Sequence, residues 1–276
     1  MSQRTISDRI GQRTARNLRQ YQMDATRREE RRCDLEMLLD ELDIVTCESD
    51  HADCGYVACL IRTPAATGMM IAPGQNPGRR RFSIAHELGH FGIPTHALAG
   101  TGFRCHEADL RRRSRDAASR EWEANDFAAE LLMPAHRFAA DLSSQSITFA
   151  TVDQLAAFDM YDVSRTAAAW RVVQTSHEPC ALFVAHEGQL NWAAYSRGWR
   201  YAQTERQRPF PAGSAGAAVL RGELPAGQGE PIDPAVWLTS ADGRRAAPTC
   251  TEVIESTHAV PEHGLVLSLV WVIPPD

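Results

Sequence analysis

The first part of the chain pairs one stretch of helical periodicity with two short apolar runs. Apolar side chains recur at helical spacing within residues 14–43, so we predict a helix there. The apolar runs 56–61 and 69–72 have the length of strands, and residues 64–68 between them are typical of a turn.

Two further helices are predicted on either side of a polar stretch. Residues 79–91 have a helical pattern that ends at Gly92. Residues 97–118 are polar, arginine-rich and poorly periodic, which indicates a mobile loop. A second strong helix spans residues 119–134 and ends at a proline.

The pattern changes again in the second half of the chain. Residues 151–175 predict two helices separated by residues 161–163. From Cys180 onward, apolar runs of strand length alternate with turns, and we predict strands around residues 181–185, 189–196, 236–239, 250–255 and 265–273.

Composition then narrows the class of protein. Over 276 residues, 43% hydrophobic and 23% charged side chains are ordinary for a globular protein, which excludes a disordered chain, a coiled coil and a collagen-like fibre. No apolar run approaches the roughly 18 residues that cross a membrane. The N-terminal sequence lacks the apolar centre of a signal peptide, so we expect a cytoplasmic protein. Lysine is absent, which excludes a lysine nucleophile.

The chemistry is concentrated in the sequence HELGH, which contains His86, Glu87 and His90. Positions i and i+4 lie on one face of a helix, so the two histidines can present nitrogens to one metal ion. Glu87 follows the first histidine and can accept a proton from a water molecule that the metal activates. This pattern predicts metal-assisted hydrolysis with Glu87 as general base.

A catalytic zinc site needs a third protein ligand, and two candidates remain open. His96 lies ten residues after His86, the offset of a longer histidine signature, but that signature needs glycine where Ile93 stands. Glu121 lies in the other strong helix, and Asn125 lies one turn further on the same face. Glu121 could ligate the metal while Asn125 accepts a hydrogen bond from a ligand histidine.

Glu123 belongs to the same motif, EWEAN, but occupies another face. It points about 200° away from Glu121 around the helix. We therefore expect Glu123 to be solvated or to pair with a loop residue, and we predict that it does not bind the metal.

The two motifs together, RFSIAHELGH and EWEANDFAAELLMP, resemble the ImmA/IrrE family of zinc metallopeptidases over roughly residues 55–136. The resemblance implies an α+β, zincin-like minimal peptidase core in which His86, His90 and Glu121 bind Zn²⁺, with Mn²⁺ as an alternative. It implies Glu87 as catalytic base, and it gives His96 a role in contacting substrate or stabilising the oxyanion. The family's substrates imply an Xre-type repressor as partner.

These patterns predict four domains. They are an N-terminal helical arm at residues 1–43, the metallopeptidase core at 44–140, a helix-turn-helix-like pair at 141–176 and a β-rich module at 177–276. The last module resembles, in domain order, the sensor-like module of radiation-response members of the family.

The predicted helical pair allows two interpretations. As a DNA-binding unit it would turn Arg165 and Arg171 toward phosphate, but three aspartates in the same stretch oppose a basic face. We therefore favour a structural or partner-docking pair over DNA binding.

From these features the predicted function is a cytosolic endopeptidase that cleaves a repressor and derepresses stress-response or mobile-element genes. The alternative is a non-proteolytic regulator, or a toxin–antitoxin component, that binds a repressor or DNA and keeps a structural metal site.

Overall fold

The computed structural model describes most of the chain, namely residues 4–27, 30–49, 56–63, 65–97, 103–106, 115–202, 208–223, 229–238, 252–260 and 264–274. The chain forms two compact units. The first comprises Met1–Pro134 and Ala157–Ser164, and the second comprises Ala135–Ala156 and Arg165–Asp276. Both contain helices and sheet, which confirms the predicted α+β class.

The first unit combines helices with a four-stranded sheet. In chain order its elements are α1 (Arg4–Thr26), α2 (Leu35–Glu41), β1 (Ile44–Glu48), β2 (Tyr56–Arg62), β3 (Thr67–Ile71), α3 (Pro77–Gly92), α4 (Pro94–Ala97), β4 (Phe103–His106) and α5 (Arg115–Leu132). The strand order is β1-β3-β2-β4. Strand β1 runs parallel to β3, and the other pairs are antiparallel. Helix α3 packs on β2 and β3 and also against α5.

The predicted helix over residues 14–43 is divided in two. Asp34 begins the second helix, because its side chain accepts a hydrogen bond from the main-chain nitrogen of Met37 at 3.0 Å. Just before it, the Arg19 guanidinium donates to two main-chain carbonyls of the connecting segment. These carbonyls belong to Glu30 and Arg31. The Arg19 side chain thus provides the hydrogen bonds that main-chain N–H groups would provide in a continuous helix.

The prediction of a loop over residues 97–118 is wrong at two places. Strand β4 lies within it and pairs antiparallel with β2, Phe103 opposite Leu60. Helix α5 begins at Arg115, before the predicted start. Strand β4 forms because β2 offers an edge with main-chain donors and acceptors, a long-range cause that local periodicity does not reveal. Residues 98–102 and 107–114 lie outside the described residues.

The second unit is a sheet with helices. Its elements are α6 (Ala135–Leu142), α7 (Phe149–Ala156), α8 (Arg165–Thr175), β5 (Cys180–His186), β6 (Gln189–Tyr195), α9 (Ala215–Leu220), β7 (Gly229–Pro231), a 3₁₀ helix (Pro234–Val236), β8 (Glu252–Val260) and β9 (Leu265–Ile273). The strand order is β6-β5-β9-β8-β7, and neighbouring strands in this order are antiparallel. The predicted strand at 236–239 is wrong over residues 236–238, because a 3₁₀ helix ends at Val236 and the side chain of Trp237 is buried in the core. Residues 239 and 250–251 of the predicted strands lie outside the described residues.

The two faces of the second sheet carry different partners. Helices α7 and α8 lie on one face, where the ring of Trp170 meets Trp192 with centroids 5.1 Å apart and Phe149 meets His258 at 5.7 Å. The other face carries an aromatic core in which the Phe183 ring lies 4.1 Å from the Trp237 ring. Buried hydrophobic side chains pack over this face.

A buried carboxylate, Glu255, lies on the aromatic face of the second sheet. Its oxygens accept hydrogen bonds from the main-chain nitrogens of Ala215 and Gly216 at 3.0 and 2.9 Å. Trp237 Nε1 and Ser268 Oγ donate to it at 2.7 and 2.6 Å. The carboxylate therefore joins α9 and the 3₁₀ segment to the sheet.

No helix in the described part of the chain is long and apolar enough to cross a membrane.

Candidate metal centre

Helix α3 presents the HELGH sequence from the interior of the first unit. The helix begins at Asn76, whose side chain accepts from the main-chain nitrogen of Arg79 at 2.9 Å, and Pro77 occupies its first turn. One turn separates His86 from His90, so both rings lie on one face. Their Nε2 atoms are 3.1 Å apart.

Helix α5 supplies the third group of the centre. Glu121 places one carboxylate oxygen 3.2 Å from Nε2 of His86 and the other 3.6 Å from Nε2 of His90. These three residues form the group of possible ligands found in the described part of the chain, and their ligand atoms all lie within 4.8 Å of one another. We call this set the His86–His90–Glu121 centre.

A glycine allows α3 and α5 to approach closely enough for this arrangement. A Cβ atom at Gly89 would lie 3.1 Å from Cα of Ala124 and 3.1 Å from the ring of Phe127. Glycine inside a helix costs about 1 kcal/mol relative to alanine. A glycine between two histidines of a helix is thus a sequence signal for a close helix contact. The i, i+4 spacing of the histidines in HELGH does not by itself reveal this contact.

Each histidine of the centre is held through its other ring nitrogen. Nδ1 of His86 lies 2.9 Å from Oδ1 of Asn125, one turn after Glu121 on α5. Nδ1 of His90 lies 3.0 Å from Nδ1 of His96 in α4. Nε2 of His96 in turn lies 3.0 Å from Oε2 of Glu123. Glu123 thus pairs with a residue of another helix, whereas we expected it to be solvated or to pair with a loop residue.

The centre is buried and its charges are strongly coupled. Burial disfavours a charged His86, but the hydrogen bond to Glu121 and the carboxylates of Glu87 and Glu121 outweigh it and raise the pKa of His86. Burial lowers the pKa of His90 to about 4. Burial acts to raise the pKa of Glu121, yet hydrogen bonds from both histidines hold that pKa well below its usual range. The centre therefore favours a positive charge among its ligand atoms.

Glu87 adds a second negative charge beside the centre. Its side chain is completely buried, and its carboxylate is one of the groups that raise the pKa of His86. A buried carboxylate next to two histidines is costly unless a cation or a proton compensates it.

The separations within the centre fit a tetrahedral metal ion. Ligands bound at about 2.0–2.1 Å with tetrahedral angles lie roughly 3.3–3.4 Å from one another. The two Nε2 atoms lie 3.1 Å apart, and the two oxygens of Glu121 lie 3.2 Å from His86 and 3.6 Å from His90, which are separations of this size. Two imidazoles and one carboxylate are also the donor set of many catalytic zinc sites. The residues present therefore fit a bound metal.

Comparison with known families decides the domain type. Residues 40–172 match the model of the IrrE N-terminal-like domain, Peptidase_M78. The chain carries a Peptidase_M78 domain. This M78 domain includes α3 and α5 and confirms the resemblance to the ImmA/IrrE family. No curated protein matches the sequence significantly.

One solved structure extends the likeness beyond the M78 domain. A protein described as a Mycobacterium tuberculosis transcriptional regulator aligns with a TM-score of 0.53. The alignment covers 86% of this chain and 68% of that chain at 14% identity. At this identity the likeness shows a shared fold.

Proposed function

We propose that the M78 domain is a zinc-dependent endopeptidase. The observation that carries this proposal is the convergence of His86, His90 and Glu121 on one point, with Glu87 buried beside it. Those three residues would hold Zn²⁺, and Mn²⁺ is the alternative metal. When bound, the metal supplies Lewis acidity that activates a water molecule and polarises the scissile carbonyl.

Glu87 performs the proton transfers. Its carboxylate accepts a proton as the water oxygen forms its bond to the carbonyl carbon. It then passes that proton to the amide nitrogen as the carbon–nitrogen bond breaks, so the carboxylate is regenerated in each cycle. Asn125 holds His86 in the ring orientation that points Nε2 toward the centre.

The proposed substrate is an Xre-type helix-turn-helix repressor in the cytoplasm, whose cleavage derepresses stress-response or mobile-element genes. The family of the M78 domain supports a regulatory peptidase. The description of the structural neighbour as a transcriptional regulator is compatible with that role.

The rival hypothesis of DNA binding by the helical pair has less support. Arg165 forms an ion pair with Asp153, and its guanidinium also lies 2.9 Å from His258. The Arg171 side chain is buried. Arg165 is partly exposed but paired with an aspartate, and Arg171 is buried, whereas DNA binding requires an exposed basic face.

The test of this proposal is Glu87→Gln. The amide keeps the size of the side chain but cannot accept the proton, so we expect cleavage of an Xre-type repressor to fall about 100- to 10,000-fold. Metal content measured by plasma mass spectrometry should stay at the wild-type level. Glu48→Gln, which alters an exposed carboxylate in the same unit, is the matched control and should cleave normally.

Two results would contradict the proposal. Cleavage by Glu87→Gln at the wild-type rate would remove Glu87 from the chemistry. If the wild-type protein still cleaved the repressor after a chelator had removed the metal, the cleavage would come from a contaminant. That result would favour the non-proteolytic or toxin–antitoxin alternatives.

A further inference from the structure

The two histidines of the centre are held in different ways. His86 meets a neutral amide oxygen, that of Asn125. His90 instead meets a second imidazole, and a carboxylate lies behind that imidazole. The sequence suggested a substrate contact for His96, but both of its ring nitrogens lie 3.0 Å from protein groups and its side chain is fully buried.

Hydrogen-bonding rules fix the direction of this series of contacts. If Nε2 of His90 offers its lone pair to a metal, the ring proton must be on Nδ1. That proton is donated to Nδ1 of His96, which must therefore be the bare nitrogen of His96. The remaining proton of His96 is then on Nε2 and is donated to Glu123. One arrangement of protons satisfies each contact, because a carboxylate accepts and does not donate.

The end of the series is itself held in place. Oε1 of Glu123 lies 3.4 Å from the hydroxyl of Ser119, one turn earlier on α5. The main-chain nitrogen of His96 donates to the carbonyl of Ile93 at 2.9 Å, and Ile93 ends α3. His96 is therefore fixed from both sides by elements that also carry the centre.

We propose that His96 and Glu123 are positioning residues for His90, so that the series Glu123–His96–His90 orients one metal ligand through two hydrogen bonds. The inference rests on the proposed metal site. Neither residue touches substrate or metal in this role.

Helix α5 then acts on the metal in two ways. It supplies Glu121 as a direct ligand, and two residues later it supplies Glu123 as the end of the positioning series. The negative charge of Glu123 stabilises the positive charge that spreads onto His96 and His90 when His90 gives electron density to a metal. Motion of α5 therefore changes a ligand and the orientation of another ligand together.

The experiment uses the full chain with Co²⁺ as the probe. Visible absorption of bound Co²⁺ gives its affinity, and paramagnetic proton spectra resolve the exchangeable Nδ1 protons of the two ligand histidines. We expect Glu123→Ala to weaken Co²⁺ binding about 10- to 100-fold. We also expect the variant to shift or broaden the Nδ1 resonance of His90, while the resonance of His86 stays in place.

Two further variants separate positioning from folding. Glu123→Gln keeps an acceptor for His96, so it should restore affinity to within about threefold while the His90 resonance still shifts with the lost charge. Glu130→Ala removes another buried carboxylate of α5, one that pairs with Arg16 at 2.8 Å, and should leave both resonances unchanged.

The outcomes distinguish this inference from the function on which it rests. A wild-type protein that binds no Co²⁺ overturns both. If the wild type binds Co²⁺ and Glu123→Gln leaves the His90 resonance in place, the positioning series is overturned and the proposed peptidase stands. The series is likewise overturned, and the peptidase kept, if Glu130→Ala shifts that resonance as much as Glu123→Ala does.

Discussion

Each unit of this protein buries a carboxylate, and the two are surrounded in opposite ways. Glu255 in the second unit accepts from two main-chain amides, an indole and a hydroxyl, so its neighbours are hydrogen-bond donors. Glu121 in the first unit faces Nε2 of His86 and Nε2 of His90. Those nitrogens present lone pairs whenever Nδ1 of each ring carries the proton.

The difference distinguishes a candidate metal centre from a structural carboxylate. Burial and a carboxylate are common to both places, and neither distinguishes them. Donors around Glu255 complete its hydrogen bonding within the protein, which is the pattern of a structural group. When Nδ1 of each ring carries the proton, the two Nε2 lone pairs and the Glu121 carboxylate need a positive species between them, either a metal ion or a proton, and the raised pKa of His86 reflects the same need.

The largest effect that we expect is on metal binding, and it comes from changing Glu121, the buried carboxylate of the first unit. Glu121→Ala removes one of the three proposed ligands and should weaken Zn²⁺ binding about 1,000-fold, beyond the 10- to 100-fold loss typical of residues that only orient ligands. Competition with a chromogenic chelator measures the affinity. If Glu123→Ala released the metal and Glu121→Ala did not, the ligand assignment would move to Glu123.

A reciprocal effect on stability is expected at Glu255. Glu255→Ala leaves an indole, a hydroxyl and two main-chain amides without their acceptor, so unfolding in urea should show a loss of about 3 kcal/mol. Zinc affinity should not change. Glu252→Ala, at the half-buried start of the same strand, should cost less than about 0.5 kcal/mol. Equal losses at the two positions would show that the donors around Glu255 contribute nothing particular.

The smallest effect that we expect comes from a substitution that moves the carboxylate of Glu121 slightly. Gly89→Ala places a methyl group 3.1 Å from Cα of Ala124, so α3 and α5 must separate. We expect a loss of about 1–3 kcal/mol in stability and weaker zinc binding, because Glu121 moves with α5. Gly92→Ala is the control, since its Cβ would meet Thr14 at an ordinary 3.4 Å. A calorimetric titration measures the zinc affinity of both variants. Unchanged zinc affinity in Gly89→Ala would contradict a role of this helix contact in placing Glu121.

The sequence predicted the parts of the centre that depend on helical spacing. The i, i+4 relation placed His86 beside His90, and the same relation on α5 placed Asn125 one turn from Glu121. The structure brings these residues together, while their chemical roles stay predictions. The partner of His96 could not be read from spacing, because Glu123 lies 27 residues further along the chain, in another helix.

The elements whose positions were wrongly predicted from the sequence share one physical cause. Strand β4 exists through its pairing with β2, and Arg19 maintains the gap between α1 and α2 by donating to carbonyls 11 and 12 residues further on. Both contacts lie beyond the three- and four-residue spacings that helical periodicity reports. The 3₁₀ helix before Trp237 belongs to the same group, since the indole is placed by its bond to Glu255.

The chain order of the two units limits how this protein can be divided. The first unit needs residues 157–164, where Asp162 pairs with Arg32 at 2.8 Å and with the buried Arg81 at 3.3 Å. A gene shortened after Pro134 would encode Arg81 without that carboxylate. The unit that carries the metal centre and its neighbour are therefore interleaved along the polypeptide, so recombination at a single point cannot exchange one unit while keeping the other whole.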